Sequence, residues 1–168
     1  MKKFLFITAI LTIFFESILL AQNNFFYINI DYIVNESKAG KNILKKITKE
    51  VDDFKIKSEK KRNNIKDKEV NAKAQKKIIA EEEYVKIIKE IRTDIINFKN
   101  ENKIFYNDVN SKKTKELNKL INKINPILAR YAENNSIDMI FNKSSIILGK
   151  KDFDITNIIL EIVNKEIK

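Results

Sequence analysis

Gly40 and Lys41, in the stretch NESKAGKNILKKITKE, form a pair that could belong to a phosphate-binding loop. In a loop of the P-loop type, several glycines expose backbone amides to the phosphates, and a Ser or Thr after the lysine reaches the magnesium ion. Here no glycine precedes Gly40 in the chain, and Asn42 follows Lys41. The spacing therefore excludes a P-loop. We interpret Gly40 as the residue just past a helix end, where a left-handed backbone favours glycine.

Carboxylates are the main remaining candidates for acid–base chemistry, because the chain contains no Cys and no His. This composition excludes a thiol nucleophile, an imidazole base, a disulfide framework and a His/Cys zinc site. Glu81, Glu82 and Glu83 are consecutive, so on a helix they point in different directions and cannot converge on a substrate. Asp152 and Asp154 flank an aromatic residue, and Asp154 is well placed to cap the last helix. We therefore predict a protein that is not an enzyme and that uses no cofactor or catalytic metal.

The first residues of the chain have the order of a secretory signal peptide. Lys2 and Lys3 precede an apolar run over residues 4–15, and small and apolar residues follow up to Ala21. The run is too short to span a bilayer comfortably, and no Cys is present to carry a lipid. We predict that residues 1–21 are a cleavable signal peptide that exports the protein. An uncleaved N-terminal anchor is the alternative.

The charge of the chain favours acidic partners. There are 33 Lys and Arg residues against 23 Asp and Glu residues, which gives a formal net charge of +10. Such an excess attracts nucleic acid, anionic lipid or acidic polypeptides. Export makes nucleic acid the weakest of these candidates, and the basic residues are interleaved with acidic ones. We expect no nucleic-acid binding, and contact with an anionic membrane surface stays an open alternative.

The elements that would position these residues are few and long, because the chain has only 2 Gly and 1 Pro to change its direction. Residues 25–30 (FFYINI) favour a strand, and Asp31 can cap a short helix that ends near Gly40. From Lys41 a heptad seam runs through two helices, the first about 30 and the second about 55 residues long. We place the reversal between them at residues 70–78.

The C-terminal end changes from helical periodicity to short apolar runs. Pro126, inside the second long helix, predicts a kink where that helix leaves the coiled coil. Ile137–Phe141 and Ile146–Leu148 are predicted to pair as a strand hairpin, and Asp154 is predicted to cap a last amphipathic helix. The result is an α+β fold, mostly α, in which a long antiparallel coiled-coil hairpin protrudes from a body built on a small sheet. Because such a monomer buries little surface, we expect a homo-oligomer.

The predicted organisation has four parts. They are residues 1–21, the signal peptide; 22–40, the first strand and short helix of the body; 41–134, the hairpin with its tip at about 70–78; and 135–168, the C-terminal strands and helix. Gly40 and Pro126 are the predicted structural hinges between body and hairpin.

Three motifs in this order carry a resemblance to a known family: ESKAGK before the hairpin, INPILARYAENNSIDMIF at its end, and DITNIILEIVNK near the C-terminus. With its export signal, the chain resembles the Skp/OmpH family of periplasmic chaperones over essentially its whole mature length. The resemblance implies a homotrimer whose three hairpins enclose a cavity. It also implies an ATP-independent holdase that binds unfolded outer-membrane proteins before membrane insertion.

Apolar side chains of the hairpin are the candidates for contact with such clients: Ile104, Tyr106, Phe98, Phe105 and Tyr84. A holdase needs adaptable contacts rather than a shaped pocket. Tyr84, Phe98 and Phe105 occupy heptad positions, which favour the seam between the two helices for them, whereas Ile104 and Tyr106 lie off the seam and are the better candidates. The alternative function is a non-catalytic structural or adaptor coiled coil of the cell envelope, anchored by an uncleaved N-terminal segment.

Overall fold

The computed structural model describes residues 24–167, and the predicted signal peptide at residues 1–21 lies outside this part of the chain. The described elements, in chain order, are β1 (Phe25–Ile28), α1 (Ile30–Glu36), α2 (Lys38–Gln75), α3 (Glu81–Asn134), β2 (Met139–Asn142), two 3-10 turns (Lys143–Ser145 and Lys151–Phe153) and α4 (Thr156–Glu166). The predicted mostly helical fold, with a small sheet and a long helical hairpin, is confirmed.

α2 and α3 form the helical hairpin and contain 38 and 54 residues. At about 1.5 Å per residue, α3 is roughly 80 Å long. The chain reverses between Gln75 and Glu81, where the amides of Ile78 and Ile79 both donate to the Gln75 carbonyl. This turn overlaps only the end of the predicted range, because neither Gly nor Pro marks its position in the sequence.

The heptad seam predicted from the sequence is packed between these two helices. Ile47 and Ile65 of α2 and Ile91 and Val109 of α3 are buried, as is Ala72 near the turn. An apolar residue at every third or fourth position forms one stripe along each helix, and two such stripes pack against each other to leave water. The seam is therefore the part of the fold that depends most directly on the sequence pattern.

β1 and β2 form a two-stranded parallel sheet in which Phe25 lies opposite Met139. A parallel pair needs a long crossover connection, which the helical hairpin supplies. The predicted C-terminal strand hairpin is wrong for the described residues, because Ile146–Leu148 forms no strand. Ile147 and Leu148 are 105% and 92% exposed. An apolar, β-branched run becomes a strand only where it has a partner edge and a surface to pack on.

α1 is capped by a different residue from the one predicted. The Asn29 side chain, not that of Asp31, accepts the Tyr32 amide at 3.0 Å. Asn is one of the side chains that most favour this position. The strand predicted through residue 30 therefore ends at Ile28, since Asn29 already belongs to the helix cap.

The core of the body lies where α1, α3 and α4 meet β1. Ile33, Ile124, Ile159 and Val163 are fully buried there, and Ile28 of the strand packs in the same cluster. This cluster packs the base of α3 against both short helices. None of the described helices is long and apolar enough to cross a membrane.

Candidate functional site

The joint between α1 and α2 contains Gly40, and its geometry differs from the prediction. Gly40 lies in the first turn of α2, and no glycine of the described residues has a positive φ. The prediction of a left-handed residue past a helix end is therefore wrong. A Cβ atom at Gly40 would lie 1.6 Å from the carbonyl oxygen of Val34. Glycine is required here because the backbones of α1 and α2 approach each other too closely for any side chain.

Ser37 connects the two helices at this joint and is fully buried. Its hydroxyl accepts the Gly40 amide at 3.1 Å and donates to the Val34 carbonyl at 3.3 Å. The amide of Lys38 donates to the Asn164 side chain of α4 at 2.7 Å. Two of the free amides at the start of α2 are thus satisfied by side chains. Sequence reasoning missed both partners, although a serine directly before a helix is a recognisable capping signal for Ser37.

Asp154 accepts hydrogen bonds at the start of α4, although the N-cap position predicted for it is occupied by Ile155. Its carboxylate accepts the amide of Thr156 at 3.1 Å as well as the Thr156 hydroxyl, and it pairs with the Lys143 ammonium at 2.9 Å. Formally the residue that precedes α4 is Ile155, which makes no side-chain cap bond. Burial by itself raises the pKa of Asp154, but the hydrogen bonds from Thr156 and Lys143 outweigh burial and hold this pKa below its ordinary value.

Pro126 lies inside α3, as predicted. Its neighbours Ile124 and Ile127 are buried in the body core, while Pro126 itself is exposed. A proline inside a helix removes one backbone hydrogen bond. The kink expected at this position, and the hinge roles of Gly40 and Pro126, stay predictions.

Two contacts across the seam fix how α2 and α3 are aligned. The rings of Phe54 and Phe105 stack with their centroids 3.6 Å apart and their planes 7° from parallel. One turn further along α2, the Ser58 hydroxyl bonds the Asn102 side chain at 2.9 Å. Phe105 therefore packs in the seam between the helices, which was the alternative to client contact for this residue.

The other candidate contact residues have different surroundings. Ile104 and Tyr106 are 59% and 41% exposed, and the Tyr106 ring also meets the Phe54 and Phe105 rings edge to face, with centroids 6.0 and 5.5 Å away. Tyr84 is half-buried beside the turn, with the Lys76 ammonium 5.8 Å from its ring centroid. Phe98 is also half-buried, but one side of it faces a groove.

This groove runs along one edge of the hairpin and has a volume of about 390 Å³. Phe98 and Tyr106 form its aromatic part. Its polar lining consists of Lys55, Ser58, Glu59, Arg62 and Asn102. We call the edge that carries it the groove edge.

The opposite edge of the hairpin is closed by ion pairs, and we call it the ion-pair edge. In the described residues, the ion pairs that join α2 to α3 are Lys61–Glu101, Lys68–Asp94 and Lys112–Glu50, each at 2.6 Å. The hydrogen bond to Asp94 raises the pKa of Lys68 above its ordinary value. The two edges of the same coiled coil therefore differ in chemistry.

A comparison with protein families matches residues 24–163 to the model of the OmpH-like outer membrane proteins. This match covers most of the chain and contains every element from β1 into α4. The chain belongs to the OmpH-like family.

The fold agrees with that of a solved OmpH-like structure. It is similar to the crystal structure of a candidate outer membrane chaperone (OmpH-like) from Caulobacter crescentus CB15, with a TM-score of 0.80 and 14% sequence identity over 88% of each chain. A comparison with curated proteins found no match. At this identity the structural likeness concerns the fold alone, and membership of the OmpH-like family is what supports a chaperone role.

Proposed function

We propose that this OmpH-like protein is an ATP-independent holdase chaperone of the periplasm. It binds unfolded outer-membrane proteins after export and prevents their aggregation before membrane insertion. Family membership supports the general role, and the predicted signal peptide supports the location. The absence of a P-loop pattern from the sequence agrees with a mechanism that uses no nucleotide.

The observation that carries the proposal is the surface of the hairpin. Its exposed apolar side chains are separate from one another and surrounded by charged residues: Ile56, Val70, Ile78, Val85, Ile96, Ile104 and Tyr106. Each is at least 41% exposed, so each is available to a partner. Scattered contacts of this kind suit a chaperone that must hold many different unfolded sequences weakly and release them.

The body offers a surface for assembly into a homotrimer. Phe25 and Phe141 meet edge to face on neighbouring strands, with ring centroids 6.0 Å apart, and both stay more than 40% exposed. Ile147 and Leu148 are almost completely exposed on the same body. A cluster of exposed apolar side chains on a small body marks a surface that another protein covers. Copies of this chain are the partner that we propose.

The alternative is a structural or adaptor coiled coil of the cell envelope. A rod that only connects two partners has no need for the packed body of β1, β2, α1 and α4. The basic surface also leaves contact with anionic lipid open as a secondary property.

The experiment is dilution of a urea-unfolded β-barrel protein into buffer with and without the purified chaperone, in the absence of nucleotide. We expect suppression of light scattering at near-stoichiometric concentration, and none from an equal concentration of a folded basic protein such as lysozyme. Unchanged aggregation, together with tight binding to a folded coiled coil of the envelope, would establish the adaptor function instead.

A further inference from the structure

The two edges of the hairpin differ because lysines occupy some of the seam positions of α2. Phe54 stacks on Phe105, and one heptad further along the antiparallel pair Lys61 stands opposite Phe98. The ammonium of Lys61 pairs with Glu101 on the ion-pair edge. Phe98 therefore faces a lysine stem rather than an apolar partner at this layer, and its ring stays half-exposed towards the groove edge.

The carboxylates on the ion-pair edge are already occupied. Glu50, Asp94 and Glu101 each accept an ammonium group from the other helix. Lys61, Lys68 and Lys112 are therefore engaged across the seam. A ligand that binds there must first separate these pairs.

The groove edge has the opposite character. Lys55 and Arg62 of α2 line the groove together with Phe98 and Tyr106 of α3. The heptad spacing places Lys99 on the same edge, one heptad before Tyr106. The cations of α2 pair with carboxylates of their own helix: Lys55 with Asp52 at 3.6 Å, and Arg62 with Glu59 at 2.9 Å. These pairs are exposed, as are those of the ion-pair edge, but they lie within one helix, so a ligand carboxylate can replace Asp52 or Glu59 without loss of a contact between α2 and α3.

We propose that the groove edge, and not the ion-pair edge, contacts the client, and that it selects extended segments in which an aromatic side chain is next to a carboxylate. The aromatic ring packs against Phe98 and Tyr106, where edge-to-face contact is favourable. The carboxylate pairs with Lys55 or Arg62 in a charge-assisted hydrogen bond. This inference rests on the proposed holdase function, since it names the surface and the class of segment that the holdase binds.

Because the chain contains no Trp, a Trp-containing peptide can be observed without background from the protein. The first probe is a ten-residue peptide with Trp between two Asp residues, and the second has Lys in place of both Asp residues. We expect the acidic peptide to bind at least fivefold more tightly by Trp fluorescence, and this preference to decrease with salt. Equal affinity for both peptides would overturn the charge preference.

Two matched double variants locate the client surface. Lys55→Glu with Lys99→Glu reverses two charges on the groove edge, while Lys60→Glu with Lys103→Glu makes the same change on exposed positions away from both edges. We expect the double variant on the groove edge to weaken acidic-peptide binding about tenfold or more. The control double variant should weaken it about twofold or less. Tyr106→Ala should likewise weaken binding severalfold, and Asn107→Ala, an exposed position on the outer face of α3, should not.

The outcomes separate this inference from the proposed function. If the unaltered protein fails to prevent aggregation of the unfolded β-barrel client, the holdase function is wrong. If it prevents aggregation and all four variants do so equally well, with unchanged circular dichroism, the holdase function stands and the groove edge is not the client surface. The charge variants alter only exposed side chains. If Tyr106→Ala failed to fold, the comparison between the two double charge variants would still locate the client surface.

Discussion

At the residue scale, the base of the hairpin depends on the close approach of α1 and α2. The missing side chain of Gly40 allows α1 and α2 to approach, and the Ser37 hydroxyl bonds both helices at once. Asn164 and Asp154 act in a comparable way from the C-terminal end, because each satisfies an amide at the start of a helix. These polar contacts satisfy backbone groups at the starts of α2 and α4, close to the base of the hairpin.

Gly40→Ala tests the contact between the two helices. Alanine within a helix is ordinarily more stable than glycine by about 1 kcal/mol. Here its Cβ would lie 1.6 Å from the Val34 oxygen, so we expect a destabilisation of roughly 2 kcal/mol or more instead. Denaturant unfolding measures the effect, with Asn42→Ala, an exposed position in the next turn, as the control. A stabilised Gly40→Ala protein would show that the joint has room for a side chain.

Asp154 makes the stability depend on pH in a defined direction. Its pKa is lower in the folded protein than in the unfolded chain, so its contribution is present above the unfolded pKa of about 3.9. The contribution is lost as the pH falls through the folded pKa. We expect Asp154→Ala to cost about 1 kcal/mol at pH 7. The difference from the unaltered protein should shrink at pH 3.

Asp154→Asn is the matched control for this prediction, because asparagine keeps the capping oxygen and removes only the charge that pairs with Lys143. Its unfolding free energy should lie between those of the other two proteins at neutral pH. If the unaltered protein and the Asp154→Asn variant differ more in stability as the pH falls, the assignment of the lowered pKa is contradicted.

At the scale of the elements, the hairpin combines a regular apolar seam with polar interruptions. Ser58 and Asn102 form a hydrogen-bonded layer in the middle of the seam, and the Asn102 side-chain Nδ2 also donates to the Phe98 carbonyl at 2.6 Å. Such a polar layer costs stability and helps to specify the alignment of two helices. Phe54 and Phe105 supply the aromatic contact beside this layer.

Phe105→Ala separates the seam from the client surface. Removal of the half-buried ring leaves Phe54 without its stacking partner, so we expect a loss of about 2 kcal/mol, below the range for fully buried aromatic residues. Ile104→Ala, which removes an exposed side chain, should change stability by less than about 0.5 kcal/mol. Thermal unfolding followed by circular dichroism measures both. Equal stability of the two variants would mean that Phe105 does not contribute to the seam.

At the scale of the whole molecule, one chain leaves much of its apolar surface in water. The body core consists of a few aliphatic side chains around Ile33, Ile124 and Ile159. The exposed apolar residues of the sheet and of the segment after it adjoin this small core. A small body with an exposed apolar surface gains stability when it associates with other copies.

Analytical ultracentrifugation of the purified protein should therefore show a trimer at micromolar concentration. Leu148→Asp should convert it to a monomer, because a side chain that is 92% exposed in one chain can be charged in a monomer without cost but cannot be buried as a charge in an interface. Ile104→Asp on the hairpin is the control and should stay trimeric. A clean monomer of the unaltered protein would refute the proposed assembly, and a trimeric Leu148→Asp protein would exclude this segment from the interface.

The sequence by itself determined the long helical hairpin, its seam and the last helix, because these depend on residues three or four positions apart. It also determined that Ile104 stays outside the seam, whereas the Tyr106 ring meets Phe54 of α2 edge to face, with ring centroids 6.0 Å apart. Only the tertiary structure decided the features that join distant residues, such as the parallel pairing of β1 with β2 and the bond from the Asn29 amide to Thr156 at 2.9 Å. Strand partners, the backbone contact that requires Gly40 and the difference between the two hairpin edges all arise when separate elements pack together. No local pattern encodes them, since each depends on which atoms of another element occupy the neighbouring space.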